Sequence, residues 1–410
     1  MGNAYLTPGS RSAELWRRAR AVMPGGNSRT TVFAAPYPAY LASAQGATVT
    51  DVDGETRLDF VNNYTSLIHG HAHPRIIDAV TRQLPLGTAV SFPTETEIHL
   101  AELLVERVAS LERLRFTNSG TEAVMMAVQA ARAFTGKPRV ARFDGCYHGA
   151  YTEQAAGDLL LPFNDPDAVE QAIERHASEL AAVIVDPLPH RPGFVDPRPG
   201  FLKRLREVTR AQGVLLISDE IISFRLAYAG PQEQSGYAAD LTTLGKIIGG
   251  GFPVGAFGGR ADVMGVFDPT SGPRRVSHGG TFNANPVTMV AGFEAMTMLT
   301  PSEYERLGEL GDSVRTGLAD LLETRGVPWQ VAGQGSLFKL HPHPRTVFDY
   351  PSSLPSRDEQ LQMERFYQAM LGEGIVLTPE LAGCTSTPMT NTEVEALLSA
   401  ADRALNTLSE

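Results

Sequence analysis

The sequence predicts an α/β protein: a large domain with a mainly parallel central sheet flanked by helices, and a smaller α+β domain after it. Three observations carry this expectation. Short apolar runs at Leu114 to Thr117, Arg139 to Phe143, Ala182 to Val185 and Val214 to Ser218 alternate with helix-period stretches, as parallel strands joined through helices do. At 410 residues the chain exceeds one typical domain. From about Pro301 the alternation gives way to longer helices with two short strand-like segments. The expected division is an N-terminal helix and extended arm over 1–50, the large domain over 51–300 and the small domain over 301–410.

Taken in order, Ser12 to Val22 has an amphipathic helix pattern that Met23-Pro24-Gly25-Gly26 stops. Asn27 to Tyr40 reads as extended and carries Arg29, which by itself is a solvated charge on an arm. Ala47 to Phe60 alternates about Asp53-Gly54, the pattern of a β-hairpin. His69, His71 and His73 alternate like ligands on one strand face, yet Pro74 follows and no cysteine or carboxylate completes a set. They read as a turn before a helix at Arg75 to Leu84, and no metal site is expected. Helices are then expected over Glu122 to Thr135, Val169 to His176 and Phe201 to Ala211, and in the small domain over Ser302 to Arg325, Asp358 to Glu373 and Thr392 to Leu408. Trp329 to Val331 and Ser336 to Leu340 read as its strands.

Composition narrows the partners. A formal charge of −11, from 35 basic and 46 acidic residues, offers no basic patch for nucleic acid or an anionic membrane. No run reaches the ~18 apolar residues a spanning helix needs, and the N-terminal segment lacks an apolar signal core. Two cysteines, Cys146 and Cys384, make no disulfide framework, so a reducing cytoplasm is the expected location.

Several turns fall where chemistry belongs, beyond the carboxyl ends of strands. In TNSGTE, Ser119, Gly120 and Thr121 stand between a strand and a helix. Backbone N–H groups and hydroxyls there suit a phosphate monoester, and the same residues also make an ordinary helix cap. Asp144-Gly145-Cys146-Tyr147-His148-Gly149 offers a phenol and an imidazole that could stack on a planar ligand, or a half-buried loop tyrosine. Asp219 and Glu220 end an apolar strand, where a fixed cation would offset the cost of burying a carboxylate. Lys246 comes about one strand-helix-strand step later, ahead of Gly249, Gly250 and Gly251. A desolvated lysine loses its proton readily and can bond an aldehyde covalently, although a lysine at a strand end can also reach water. Thr281 could give another hydroxyl to an anion. A phosphate cradle, an aromatic stacker, an acid and a lysine in this order suit pyridoxal 5′-phosphate, with the acid protonating the pyridine nitrogen.

The runs RFTNSGTEAVMMA, FDGCYHGAY, LLISDEIISFR, DLTTLGKIIGGGFPVGAFGGRADVM and GGTFNANPVTMVAG resemble the class III pyridoxal-phosphate aminotransferases of fold type I. Within them the branch resembled is that of glutamate-1-semialdehyde aminomutase and the β-amino-acid aminotransferases. The resemblance implies Lys246 as the residue that holds the cofactor aldehyde and carries protons, and Asp219 at the pyridine nitrogen. It puts Ser119, Gly120 and Thr121 at the phosphate and Tyr147 over the ring. It implies a homodimer with sites at the interface, in which Thr281 reaches the neighbouring subunit's phosphate. Amino transfer from an amino acid, β-amino acids favoured, to a keto acid or other carbonyl by a ping-pong cycle is the implied activity; intramolecular transfer on glutamate 1-semialdehyde is the alternative. MPGGNSRTTVFAAPYP resembles the arm that brings an arginine, here Arg29, to a substrate carboxylate. The chain departs from the pattern in two places: Glu380 stands in GIVLTPELAG where relatives carry an arginine, so an α-carboxylate should be repelled there, and Asp186-Pro187 replaces Glu-Pro.

Overall fold

In the computed structural model, which describes residues 3–150, 157–270 and 275–408, the hairpin about Asp53-Gly54 is built from β2 (Thr48–Asp51) and β3 (Thr56–Asp59). A further strand, β1 (Leu41–Gln45), pairs with β2. The arm before it is extended apart from short 3-10 turns such as Thr30–Val32. Tyr151, the last residue of FDGCYHGAY, lies outside the described residues.

The central sheet has seven strands: β4 (Arg113–Thr117), β5 (Arg139–Phe143), β6 (Leu159–Leu161), β7 (Leu180–Val185), β8 (Leu215–Asp219), β9 (Leu241–Gly245) and β10 (Gly255–Gly259). Their spatial order is β4-β10-β9-β8-β7-β5-β6, with β10 antiparallel to both neighbours and the other pairs parallel. Strand pleating sends Leu215 and Ile217 to one face, where they meet the helix Gly120–Thr135, and Leu216 to the other, where it meets the helices Pro166–His176 and Phe201–Ala211. The first helix comes close to the sheet because its inner face is Ala123, Ala127, Ala130 and Ala131, all fully buried. Between β8 and β9 the chain makes no full helix. It crosses through the 3-10 turn Ser223–Leu226 and the four-residue helix Pro231–Gln234, so the step from Asp219 to Lys246 is a compact loop rather than the strand-helix-strand unit expected.

After the long helix Pro301–Thr324 come β11 (Gln330–Ala332), β12 (Leu337–His341), β13 (Ile375–Val376) and β14 (Ala382–Cys384). The sheet β11-β12-β14 is antiparallel, while β13 joins β3 in parallel, so the N-terminal hairpin and the C-terminal segment share a core around Phe60, Phe338, Phe366 and Leu397. Among the described residues no helix is long and apolar enough to cross a membrane, and no group of three or more His, Cys, Asp or Glu could hold a metal ion.

Candidate active site

The carboxyl ends of β7, β8 and β9 open on one crevice. At its floor Asp219 is 4% exposed. Its Oδ2 accepts from His148 Nδ1 at 2.7 Å, and its Oδ1 accepts from Thr243 Oγ1 at 3.0 Å and from the Ile221 N–H at 3.3 Å. Thr243 reaches it because the parallel register pairs these two residues directly. Three donors thus meet a carboxylate whose burial would otherwise carry a large desolvation cost. With Nδ1 donating, His148 Nε2 is left buried and, among the described residues, without a partner. His148, one of the two rings that the sequence offered for stacking, is held by Asp219.

Lys246 follows β9 directly and opens a 3-10 turn with φ of +50°, a left-handed conformation that costs a non-glycine residue of order 1–3 kcal/mol and recurs at functional sites. The ammonium is pushed below the ordinary lysine range by loss of water, while the charges of Asp219 and then Asp186 oppose that shift. The glycines after it permit close approach. A Cβ on Gly249 would stand 2.5 Å from Val254 Cγ1, and one on Gly250 (φ +59°) would run into the Ala291 carbonyl.

On the other side of the crevice Ser119 caps the helix Gly120–Thr135, its Oγ accepting from the Glu122 N–H at 3.2 Å. The cap reading therefore holds for its hydroxyl. The N–H groups of Gly120 and Thr121 have no acceptor within the helix and so are left as donors at its N-terminus. Ile221 lies between this turn and Lys246: a Cβ on Gly120 would stand 2.6 Å from its Cδ1, and one on Gly245 3.5 Å from its Cγ2. Gly149 (φ +98°) abuts Thr121, where a Cβ would stand 2.7 Å from Oγ1, so the loop carrying Tyr147 and His148 rests on the first turn of the helix. Tyr147 is 36% exposed, meets the His190 ring edge-on at 6.1 Å, and has the Arg191 guanidinium 5.0 Å from its ring centre. His190 is pushed down to about 3, first by burial and next by the charges of Lys246 and Lys339. Asp186, at the end of β7, accepts from the Leu188 N–H at 3.0 Å; burial and then the charge of Asp219 push its carboxyl up.

Lys246, Asp219, Ser119, Gly120, Thr121 and Tyr147 are thus brought together. Thr281 is not among them. It is exposed on a loop whose Asn283 Oδ1 accepts from Asn118 Nδ2 at 2.7 Å. Arg29 is exposed, donates to Asn63 Oδ1 at 2.9 Å and lies 5.8 Å from the centre of the Tyr64 ring. Burial pushes the Tyr64 phenol up; the charge of Glu380 adds to that shift and the charge of Arg29 opposes it. That phenol sits in a run of four left-handed residues, Asn62 to Thr65, held by Asp59 Oδ1 accepting from the Val61 and Asn62 N–H groups and by Arg225 donating to the Thr65 carbonyl. Sequence patterns do not single out Ile221, Thr243 or His190, which are an apolar residue, a strand threonine and a loop histidine of ordinary kinds.

The aminotransferase class-III family model matches residues 32–157 and 161–389, which is most of the chain. The chain belongs to the class III aminotransferases. Among relatives of this family it is 39% identical to the glutamate-1-semialdehyde 2,1-aminomutase of Methanothermobacter thermautotrophicus, over 97% of this chain and 99% of that protein. It is 40% identical to the β-phenylalanine transaminase of Variovorax paradoxus, over 92% and 88%. The crystal structure of an ω-transaminase from Sphaerobacter thermophilus superposes with a TM-score of 0.97, at 55% identity over the whole of both chains. The protein is therefore a pyridoxal-phosphate enzyme with the fold of the class III transaminases. The crevice suits that cofactor. Backbone donors stand where a Cβ at residue 120 would not fit, a satisfied acid lies at the floor, and a desolvated lysine lies beside both.

Proposed function

We propose that this class III aminotransferase moves an amino group from an amino acid, a β-amino acid by preference, to a keto acid or other carbonyl acceptor in a ping-pong cycle. In this reading the Gly120 and Thr121 N–H groups and the Ser119 turn hold the cofactor phosphate, Asp219 keeps the pyridine nitrogen protonated, and Tyr147 and Ile221 cover the two ring faces. When bound, the cofactor supplies an aldehyde that takes up the amino group and a ring that withdraws electrons from the substrate carbon. Lys246 Nζ, which loss of water pushes toward giving up its proton, removes the proton from the amino-bearing carbon and returns it in the second half of the cycle. His148 and Thr243 fix Asp219 so that its charge does not turn away.

The observation that carries the substrate class is Arg29, poised beside Tyr64 on a strained left-handed turn and bound to no carboxylate among the described residues. A guanidinium in that state suits the carboxylate of a β-amino acid. The name of the Variovorax relative supports the same class. Arg29→Ala should raise the apparent KM for β-amino acids about 10- to 100-fold while sparing amines without a carboxylate. Equal loss for both would remove this role.

A second reading is intramolecular transfer on glutamate 1-semialdehyde, favoured by 39% identity to the Methanothermobacter enzyme. Turnover of that substrate without added acceptor would select it. The reading extends to a homodimer in a reducing cytoplasm, with Thr281 serving the neighbouring site. Phe92 and Phe282 are 82% and 58% exposed beside a groove of about 820 Å³ between Pro93, Ile98, Phe116 and Asn283, an apolar face of the kind a second subunit covers. The division into an arm (1–50), a cofactor-binding part (51–300) and a C-terminal part (301–410) belongs to the same reading.

A further inference from the structure

β12 divides its side chains between two surroundings. Phe338 and Leu340 enter the C-terminal core, whereas Leu337 packs on Leu188 and Phe194, and His341 Nε2 donates to the Gly193 carbonyl at 3.1 Å. By the same alternation Lys339 shares the face of Leu337 and His341, turned to the loop that follows β7 and carries Asp186 and His190. Its Cδ lies 3.2 Å from where a Cβ on Gly193 would stand. Lys339 is 9% exposed, and among the described residues its ammonium has no hydrogen bond and no ion pair. Burying an ammonium in that state is costly, and a removable anion would offset the cost. The opposite charge that acts on it is Glu380. That residue sits in the turn that the Leu381 N–H closes on the Thr378 carbonyl, two residues before Ala382, which pairs directly with Lys339 across the sheet. On its other side Lys339 acts on His190, the ring that also bears the charge of Lys246.

Two cations therefore bound the substrate side at different depths, an exposed Arg29 and a buried Lys339. A β-amino acid carries its carboxylate one carbon farther from the reacting carbon than a 2-oxo acid does, so the two acids need anchors at different distances. Resting on the transamination reading above, we propose that Lys339 binds the carboxylate of the 2-oxo acid acceptor, which gives the ammonium the ion pair it otherwise lacks. This gives the acceptor an anchor although residue 380 is an acid. A lysine suits this role, being a compact charge on a flexible stem.

The test uses holoenzyme converted to its pyridoxamine phosphate form, followed by stopped-flow absorbance with pyruvate and with benzaldehyde, an acceptor that has no carboxylate. Lys339→Met should raise the half-saturating pyruvate concentration at least about tenfold with little change in limiting rate, and leave the benzaldehyde reaction as in the parent. Lys339→Arg should recover part of the loss, and Glu380→Gln should tighten pyruvate. Oxamate, a non-reacting mimic of pyruvate, should bind the same holoenzymes in the same order by calorimetry. Equal losses with pyruvate and benzaldehyde, or unchanged pyruvate and oxamate, would overturn the assignment. Should Lys339→Met fail to fold, unchanged oxamate binding in both Lys339→Arg and Glu380→Gln overturns it. Failure of every amine to convert the parent enzyme counts against transamination itself, and the oxamate series still decides the role of Lys339.

Discussion

Acid should destabilise this protein through histidines buried in their neutral form, and His69 isolates the effect. Its Nε2 donates to the Ala295 carbonyl at 2.8 Å while Nδ1 accepts from Thr387 Oγ1 at 3.1 Å, so the neutral ring is fully satisfied. Burial is the largest influence and pushes the group down to about 4; the Ala295 carbonyl works against this and His73 adds to it. An unfolded histidine titrates near 6.5. Between those values the unfolded chain binds a proton that the folded one does not, so His69 contributes stability above about pH 6.5 that is lost as pH falls toward 4. The loss comes to about 2 kcal/mol at pH 5 and about 3 kcal/mol at pH 4.

The whole protein's pH curve does not report this cleanly, because Glu220 has the opposite sign. Its carboxyl, buried against Gln232 and Ser218, is pushed up to about 7, mainly by desolvation. A raised carboxyl contributes stability that is full below an unfolded value of about 4.3 and lost as pH rises through 7. At pH 5 the two groups nearly cancel. The variant His69→Gln separates them, since its amide can donate to the Ala295 carbonyl but does not titrate. At pH 7.5 it should be about 1 kcal/mol less stable than the parent for loss of the Thr387 bond, and at pH 5 about 1 kcal/mol more stable. Urea unfolding followed by intrinsic fluorescence at one protein concentration reads this crossing. The same difference at both pH values would refute a neutral, buried His69.

Two further outcomes follow from the site. Asp219→Asn keeps an acceptor for Thr243 and Ile221 but removes the charge, and should slow the donor half-reaction about 10²- to 10³-fold, read by stopped-flow absorbance; an unchanged rate would remove Asp219 from the chemistry. Gly250→Ala should destabilise more than Gly136→Ala, by about 1–3 kcal/mol: both glycines have positive φ, but a Cβ at 250 runs into the Ala291 carbonyl while one at 136 enters open space. Melting temperatures that rank the two variants the other way would show that the Lys246 turn is not pressed against the helix Pro286–Met298.

The sheet strands were legible because each is a short apolar run ending in a turn, and burial on both faces makes that pattern plain in β7 and β8. Asp219 and Lys246, the polar groups on those ends, were legible for the same reason: polar groups stand out where an apolar run stops. His148 was visible as an imidazole in a glycine-flanked turn, but its partner was not, because the pairing to Asp219 spans 71 residues. Thr243 looks like any strand threonine, and its role comes from parallel register, a property of two strands together. The short crossing between β8 and β9 was read as a helix step because spacing alone does not distinguish a helix from a folded loop of equal length.

The proposed substrate recognition is the least legible part, and its assembly explains why. Arg29 comes from the arm, Tyr64 from the left-handed turn, His190 from the loop after β7, and Lys339 and Glu380 from the C-terminal sheet. None of these segments has a composition that marks it. What joins them is charge at close range inside a chain whose formal charge is −11. Long-range attraction for an anionic acid is therefore weak, and selection falls on the pocket itself, where Arg29, Lys246 and Lys339 stand against Glu380, Asp219 and Asp186. Asp219 is already matched by His148 and Thr243, and burial pushes the Asp186 carboxyl toward its neutral form. Glu380 is then the one acid in this group whose charge is left to act on Lys339. On the proposal above, an acceptor carboxylate arriving at Lys339 meets a buried ammonium that has no ion pair among the described residues, with Glu380 as the charge it has to outcompete.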